Sequence, residues 1–283
     1  MQLYKAYLRL TIITSIINSI YIMKKDSLFT LMLGVLIMLT TSSCINGPII
    51  KGSKNYITKK TTLEKFNVVT LSGSANIIYQ QDSSSRIEIY GSDNIIDIMN
   101  VKVDKGELNI KFKKNVHIVD LGKLEIKIYS PDLNQMTING SGGILFANGI
   151  RSQEDLKVTI NGSGNLAGSS FQCRELSLAI HGSGDLRLKQ INCEECDASI
   201  SGSGDISLNG SAKEASYSIS GSGDIKAAGL EAVTVSARIS GSGDISCFAT
   251  DKLEGGVSGS GTVAYKGNPH SINIPQKRLR KLD

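Results

Sequence analysis

The sequence has no tryptophan, only 4 prolines, and aromatics at 5% of residues. Beside 29 glycines, that shortage suits a regular β architecture with tight turns and argues against a helical bundle. Strong charge is missing too. The net charge is +5, and much of the excess sits at the ends, on Lys24 and Lys25 and on Lys277, Arg278, Arg280 and Lys281. The middle of the chain is near balance, which argues against a nucleic-acid surface. With 283 residues there is room for one or two domains.

What is present is one phrase, repeated. Ile138-Asn139-Gly140-Ser141-Gly142 recurs with its first glycine at Gly162, Gly182, Gly202, Gly221, Gly241 and Gly259, at spacings of 22, 20, 20, 19, 20 and 18 residues. A period of about 20 residues marks a stacked solenoid. Counted from that first glycine, position −2 is Ile138, Ile160, Ile180, Ile200, Ile219, Ile239 and Val257, and position +4 is Ile144, Leu166, Leu186, Ile206, Ile225, Ile245 and Val263. Positions −6, −4 and +6 are mostly apolar as well, with polar or small residues between. A period of two means strands with one buried face. One rung cannot bury that face alone, so copies stack about 4.8 Å apart. The fold class is therefore all-β: a parallel β-helix or β-solenoid with about 20-residue GSG rungs, right-handed by the crossover rule.

The chain divides accordingly. Met23-Lys24-Lys25, the apolar run Leu28 to Leu39 and the small residues before Cys44 read as a secretory signal over 23–43. The run is too short to span a bilayer comfortably. The pattern resembles a bacterial lipoprotein signal with Cys44 as the lipidated residue. Its lipobox departs from the usual one, because Thr41 stands where leucine is usual. The alternatives are an ordinary signal peptide or an uncleaved anchor. Residues 1–22 carry a second apolar stretch and read as an over-extended N-terminus rather than half of a hairpin anchor. Residues 44–62 are polar and aperiodic and read as a tether. Residues 63–135 form an N-terminal β part with wider rungs that cap the stack, a separate small β domain being the alternative. Ser72-Gly73-Ser74-Ala75 within it is a degenerate copy of the phrase. Residues 136–265 are the regular repeats and 266–283 a C-terminal tail.

Phe66 to Ile77, Gly106-Glu107-Leu108-Asn109-Ile110, the ISGSGDI units and the closing Gly261-Thr262-Val263-Ala264-Tyr265-Lys266-Gly267-Asn268-Pro269 resemble the auto-transporter adhesin head GIN domain family. The resemblance covers about residues 63–270. It implies a secreted or lipid-anchored, β-helix-like envelope protein of Gram-negative bacteria. The chain departs from the pattern after Pro269, where a basic tail replaces a further rung.

Chemical sites are harder to find. Position +3 holds Asp185, Asp205, Asp224 and Asp244, stacked carboxylates that calcium would relieve. Against calcium, aspartate suits a solvated turn after glycine. No cofactor is expected, calcium at this column being the alternative. The serine column (Ser141, Ser163, Ser183, Ser203, Ser222, Ser242, Ser260) cannot be seven nucleophiles and has no histidine beside it. A ladder of hydrogen-bonded turn hydroxyls is expected instead. His181 replaces the usual asparagine or serine of its column, and His117 and His270 are isolated. Cys173 and Cys193 should be rung neighbours, either bridged or free. Cys196 and Cys247 fall in core columns, and zinc lacks a second ligand pair.

The sequence thus points to a non-enzymatic, lipid-anchored outer-membrane lipoprotein, an adhesin or surface-display protein. Its partners would be the membrane through Cys44, a glycan or protein ligand, no nucleic acid, and a homo-oligomeric copy. Alternatives from other classes are a carbohydrate-processing β-helix enzyme, which needs paired acids by a cleft, and a structural envelope protein that self-assembles.

Overall fold

Alternating apolar and polar residues set the strands, and the glycines and polar turns between them set the corners. A computed structural model describes residues 47–283; Cys44 and the signal-like segment lie outside the described residues. β1 (Ile49–Lys51), β2 (Tyr56–Thr62), β3 (Val68–Gly73), β4 (Ile77–Gln81) and β5 (Arg86–Ser92) lead into a short helix, α1 (Asp93–Asp97). β6 (Met99–Asp104), β7 (Glu107–Phe112), β8 (His117–Asp120) and β9 (Leu124–Ser130) complete the N-terminal part. The repeats supply β10 (Gln135–Gly140), β11 (Gly143–Phe146), β12 (Ile150–Arg151), β13 (Leu156–Gly162), β14 (Asn165–Gln172) and β15 (Glu175–Gly182). They continue in β16 (Asp185–Gly202), β17 (Ile206–Gly221), β18 (Ile225–Gly241), β19 (Ile245–Gly259) and β20 (Val263–Lys266). β21 (Ser271–Asn273), a single 3-10 turn (Gln276–Arg278) and β22 (Leu279–Lys281) end the chain.

The repeats form a β-solenoid of about 7 turns with parallel pairing about 20 residues apart. The predicted columns are its ladders: Ile180 pairs with Ile200, Ile200 with Ile219, and Ile219 with Ile239. Burying an isoleucine contributes about 1.5–3 kcal/mol, and the rungs repeat that contribution column by column. Size is balanced along a column as well. In position −4, Tyr217 lies between Ala198 and Ala237, and all three are buried. The Tyr217 hydroxyl is buried without a hydrogen-bond partner, and burial pushes its pKa well above the ordinary value. An unsatisfied buried hydroxyl costs about 1–3 kcal/mol, so Tyr217→Phe is expected to raise stability by about 1 kcal/mol in urea unfolding. A loss of stability would show that the hydroxyl has a partner.

Each corner is held through the backbone. The serine N–H of one rung donates to the first-glycine carbonyl of the rung before it, as Ser203 does to Gly182 and Ser222 to Gly202, both at 2.9 Å. The expected ladder of hydroxyls is replaced by this ladder of amides. The seven serine side chains face solvent.

The N-terminal part joins the same sheet out of sequence order. β3 and β4 make one rung whose Gly73 stacks on Gly140. On the far side of that rung lie β7 and β9, pairing parallel to β3 and β4. Residues 107–130 therefore sit outside residues 68–81, although they come later in the chain. β6 closes β7 by antiparallel pairing, and β5 and then β2 close β9. β2 falls inside the stretch read as a tether. Every one of its residues is exposed, so it carries no burial alternation to reveal it, and Lys59 and Lys60 guard it as an edge strand. β1 also falls in that stretch and pairs with β8.

The basic tail is likewise built into the stack. β21 pairs with β19, and β22 with β20. Between them, Arg278 donates to the Gly259 carbonyl at 2.6 Å and the Ser260 carbonyl at 3.1 Å. Those carbonyls belong to the last corner, and a guanidinium supplies there the donors that a further rung would have supplied.

Candidate functional site

The residues pointing outward from the strands before each corner make a polar face. At position −1 these are Asn139, Asn161, His181, Ser201, Ser220, Ser240 and Ser258, one per rung. Strand alternation forces them outward because Ile at −2 points in. The face is dented at its C-terminal end, where Gly256 pairs with Arg238 and has no side chain of its own. The dent is an open concavity of about 680 Å³ lined by Ser218, Ser220, Arg238, Ser240, Glu254 and Asn273, among others. Arg238 is oriented by a 2.8 Å hydrogen bond to the Ser236 hydroxyl. Lys252, at 2.5 Å, holds the Glu254 carboxyl below its ordinary range, with Arg238 adding to the effect. The dent thus offers an ionised carboxylate, a guanidinium and several hydroxyls on rigid strands, a donor and acceptor set suited to a polyhydroxyl ligand.

The aspartate column is tied into the backbone and to neighbouring cations. Asp185 N–H donates to Asn165 Oδ1 at 3.1 Å, Asp205 to Asp185 at 3.3 Å, Asp224 to Asp205 at 3.1 Å, and Asp244 to Asp224 at 3.0 Å. Thr262 ends the series with both its N–H and its hydroxyl on Asp244 Oδ1. One oxygen of each carboxylate is therefore a backbone acceptor. The charges are met by side chains: Lys226 reaches Asp205 at 2.6 Å and Asp224 at 3.7 Å, and Arg187 reaches Asp185 at 3.3 Å. Partial burial pushes the Asp205 carboxyl up, but Lys226 and the Asp224 N–H outweigh it and hold the carboxyl below its usual value. Among the described residues no three His, Cys, Asp or Glu side chains are grouped to hold a metal ion.

The amide ladder and the charge can be separated. Asn165 already acts as acceptor in this column, so Asp224→Asn keeps the bond and is expected to change stability by less than about 0.5 kcal/mol. Asp224→Ala strands the Asp244 N–H and is expected to cost about 1 kcal/mol. Equal losses for the two variants in chemical denaturation would instead assign the column's role to its charge.

The family whose description is "Putative auto-transporter adhesin, head GIN domain" matches residues 65–269. The chain belongs to that family. Among solved structures, this head GIN domain is similar to a putative lipid binding protein from Parabacteroides distasonis ATCC 8503. The two are 28% identical with a TM-score of 0.77, over 83% of this chain and 100% of the other. It is similar also to a putative adhesin from Parabacteroides merdae ATCC 43184, at 26% identity and TM-score 0.72, over 83% of this chain and 99% of the other. A putative adhesin from Bacteroides fragilis NCTC 9343 is 28% identical with a TM-score of 0.60, over 82% and 97%. No curated protein matches the chain.

A second concavity of the head GIN domain, about 470 Å³, has Gln172, Arg174, Asn192, Glu194 and Lys213 on its walls and Cys173 and Cys193 in its lining. All four described cysteines are free thiols. Burial pushes Cys173 up to about 12. A hydrogen bond with Cys196 lowers Cys193, and that bond and burial raise Cys196. Cys196 and Cys247 are fully buried in core columns, as their positions required.

Of the histidines, His181 is exposed in its column, His117 is exposed on β8, and His270 pairs with Asp251 at 2.9 Å. Among the described residues one carboxyl is raised, that of Asp197, by partial burial first and by the charge of Glu175. Neither acid lines either of these concavities.

Proposed function

We propose that this head GIN domain is a non-enzymatic, lipid-anchored β-helix of the cell envelope, acting as an adhesin or surface binding protein. The observation that carries the reading is the rigid polar face ending in the Arg238–Glu254 dent. It offers hydrogen-bonding groups of both kinds at rung spacing. Membership of an adhesin family, and neighbours named as adhesins and as a lipid binding protein, support a binding role. The anchor rests on the sequence from Met23 to Cys44 and places the protein on the outer membrane.

Gly256 makes the reading testable. A Cβ there meets nothing within 4 Å, so Gly256→Phe fills the dent without disturbing the core. The purified protein is expected to bind a subset of a glycan and extracellular-matrix array, and Gly256→Phe to lose that binding by tenfold or more while its melting curve is unchanged. An array with no hits, or binding indifferent to Gly256→Phe, would remove the dent as the site. Mass spectrometry of the mature N-terminus tests the anchor separately, since acylation must appear on Cys44.

A further inference from the structure

The two most exposed large hydrophobic residues described lie on one two-stranded ribbon. They are Ile49, 70% exposed, on β1 and Val119, 65% exposed, on β8. β1 and β8 form a two-stranded sheet of their own, apart from the large sheet. Ile50 and Ile118 pair in register and are half-buried, whereas a register shift leaves Val119 facing no residue. Single exposed hydrophobics are ordinary on a soluble surface, but two on one small ribbon form a patch.

Charge surrounds the patch with one dominant sign. Lys51 ends β1 and Lys54 follows it, Lys113 and Lys114 precede β8, and Lys123 follows it; all five are exposed. Asp120 answers only Lys51, at 3.9 Å. The asymmetry extends to the chain. Residues 47–130 carry 13 Lys and Arg against 9 Asp and Glu, whereas residues 131–266 carry 10 against 15, and the basic tail of residues 267–283 carries 4 against 1 at the opposite end of the chain. An anionic surface would attract the N-terminal part and repel the repeats.

Position along the chain supplies the occupant. With β1 beginning at Ile49, the tether from Cys44 is only five residues long, and five extended residues span at most about 18 Å. We infer that the β1–β8 ribbon is a membrane-docking surface, with Ile49 and Val119 entering the headgroup region of an anionic leaflet and the flanking lysines pairing with its lipids. Docking of this kind fixes the solenoid's attitude, with the repeats and their polar face held away from the membrane. The inference rests on the reading that Cys44 is acylated.

The absence of tryptophan makes the test direct. The full-length protein, isolated from membranes with its anchor, is reconstituted in phosphatidylcholine–phosphatidylglycerol vesicles as Val119→Trp or, as a control in the repeats, Val233→Trp. Val119→Trp fluorescence is expected to shift to the blue and to be quenched several-fold more by brominated lipid than Val233→Trp. Joint replacement of Lys113, Lys114 and Lys123 by glutamate, in the Val119→Trp background, should abolish the difference. Equal, weak quenching of the two tryptophans in acylated, vesicle-bound protein would overturn the docking surface. So would a blue shift of Val119→Trp that grows with protein concentration without lipid, which would make the patch a contact between copies. The anchor is read independently through Cys44→Ser. Selective quenching of Val119→Trp in that unacylated protein would support the surface even if the anchor reading failed, and its absence there with no acyl mass on the wild type would overturn both.

Discussion

Gly221→Ala is expected to destabilise the solenoid by about 4 kcal/mol, combining backbone strain of about 1–3 kcal/mol with overpacking of similar size. Gly221 has φ +141°, and a Cβ on it would overlap the carbonyl oxygen of Gly202 in the rung before. That carbonyl already accepts the N–H groups of Ser222 at 2.9 Å and Gly223 at 3.3 Å. An alanine would have to displace backbone on both sides of the corner, and backbone cannot swing aside as a flexible side chain can. Two controls lie close by. Ser222 is exposed, so Ser222→Ala should change stability by less than about 0.5 kcal/mol. Gly256 has open space beyond its Cα, so Gly256→Ala should be equally mild. Urea midpoints of the three variants decide the matter, and a Gly221→Ala shift no larger than the controls would refute the close-approach account of the corner. The same argument explains why the phrase recurs. Its first glycine is required by contact with the previous copy of itself.

This difference also marks how far the sequence could be read. In the repeats, partner and register are both fixed by the period, so columns such as Ile180–Ile200–Ile219–Ile239 follow from spacing alone. Before Gln135 no period operates. The placement of β7 and β9 outside β3 and β4 depends on which edges meet, and alternation within a strand reports its buried face but not its neighbour. β2 was hidden for a related reason, since an edge strand exposed along its length has no alternation at all. The candidate site shows the same division. The polar face is visible as outward columns, and Gly256 breaks the outward column at position −3, a signal that was available. Arg238 and Glu254 acquire meaning only when register sets them around that break. The aspartates were visible as a row of charges, whereas their service to the backbone depends on side-chain direction.

Phe146→Ala carries the second large effect, an expected loss of about 3–5 kcal/mol for a buried phenylalanine reduced to alanine. The regular +6 column is aliphatic further along, with Leu188 and Leu208, but at its start it is aromatic. Phe146 meets Tyr79 edge-on at 5.5 Å and 65°, and Phe171 at 5.3 Å and 84°. Each such contact adds about 0.5–1.5 kcal/mol beyond burial. Gly168 leaves the next rung's place in the column empty, and the rings fill it: a Cβ on Gly168 would lie 2.7 Å from Phe171 Cζ and 2.8 Å from Phe146 Cβ. Tyr79 is tied onward through its hydroxyl to Ser130 Oγ at 2.8 Å, and Ser130 Oγ donates to the Asp132 carbonyl at 2.9 Å. Phe146 therefore joins the rung built out of sequence order to the first regular repeat. Phe146→Leu, which keeps the burial and loses the ring contacts, should lose about 1–2 kcal/mol. The form of unfolding tells more than its midpoint. If the aromatic stack couples the N-terminal part to the repeats, wild type unfolds in one transition by circular dichroism and by tyrosine fluorescence, while Phe146→Ala separates the two signals. A single, merely shifted transition in Phe146→Ala would mean that the ladders β3–β10 and β4–β11 couple the two parts without help from the stack.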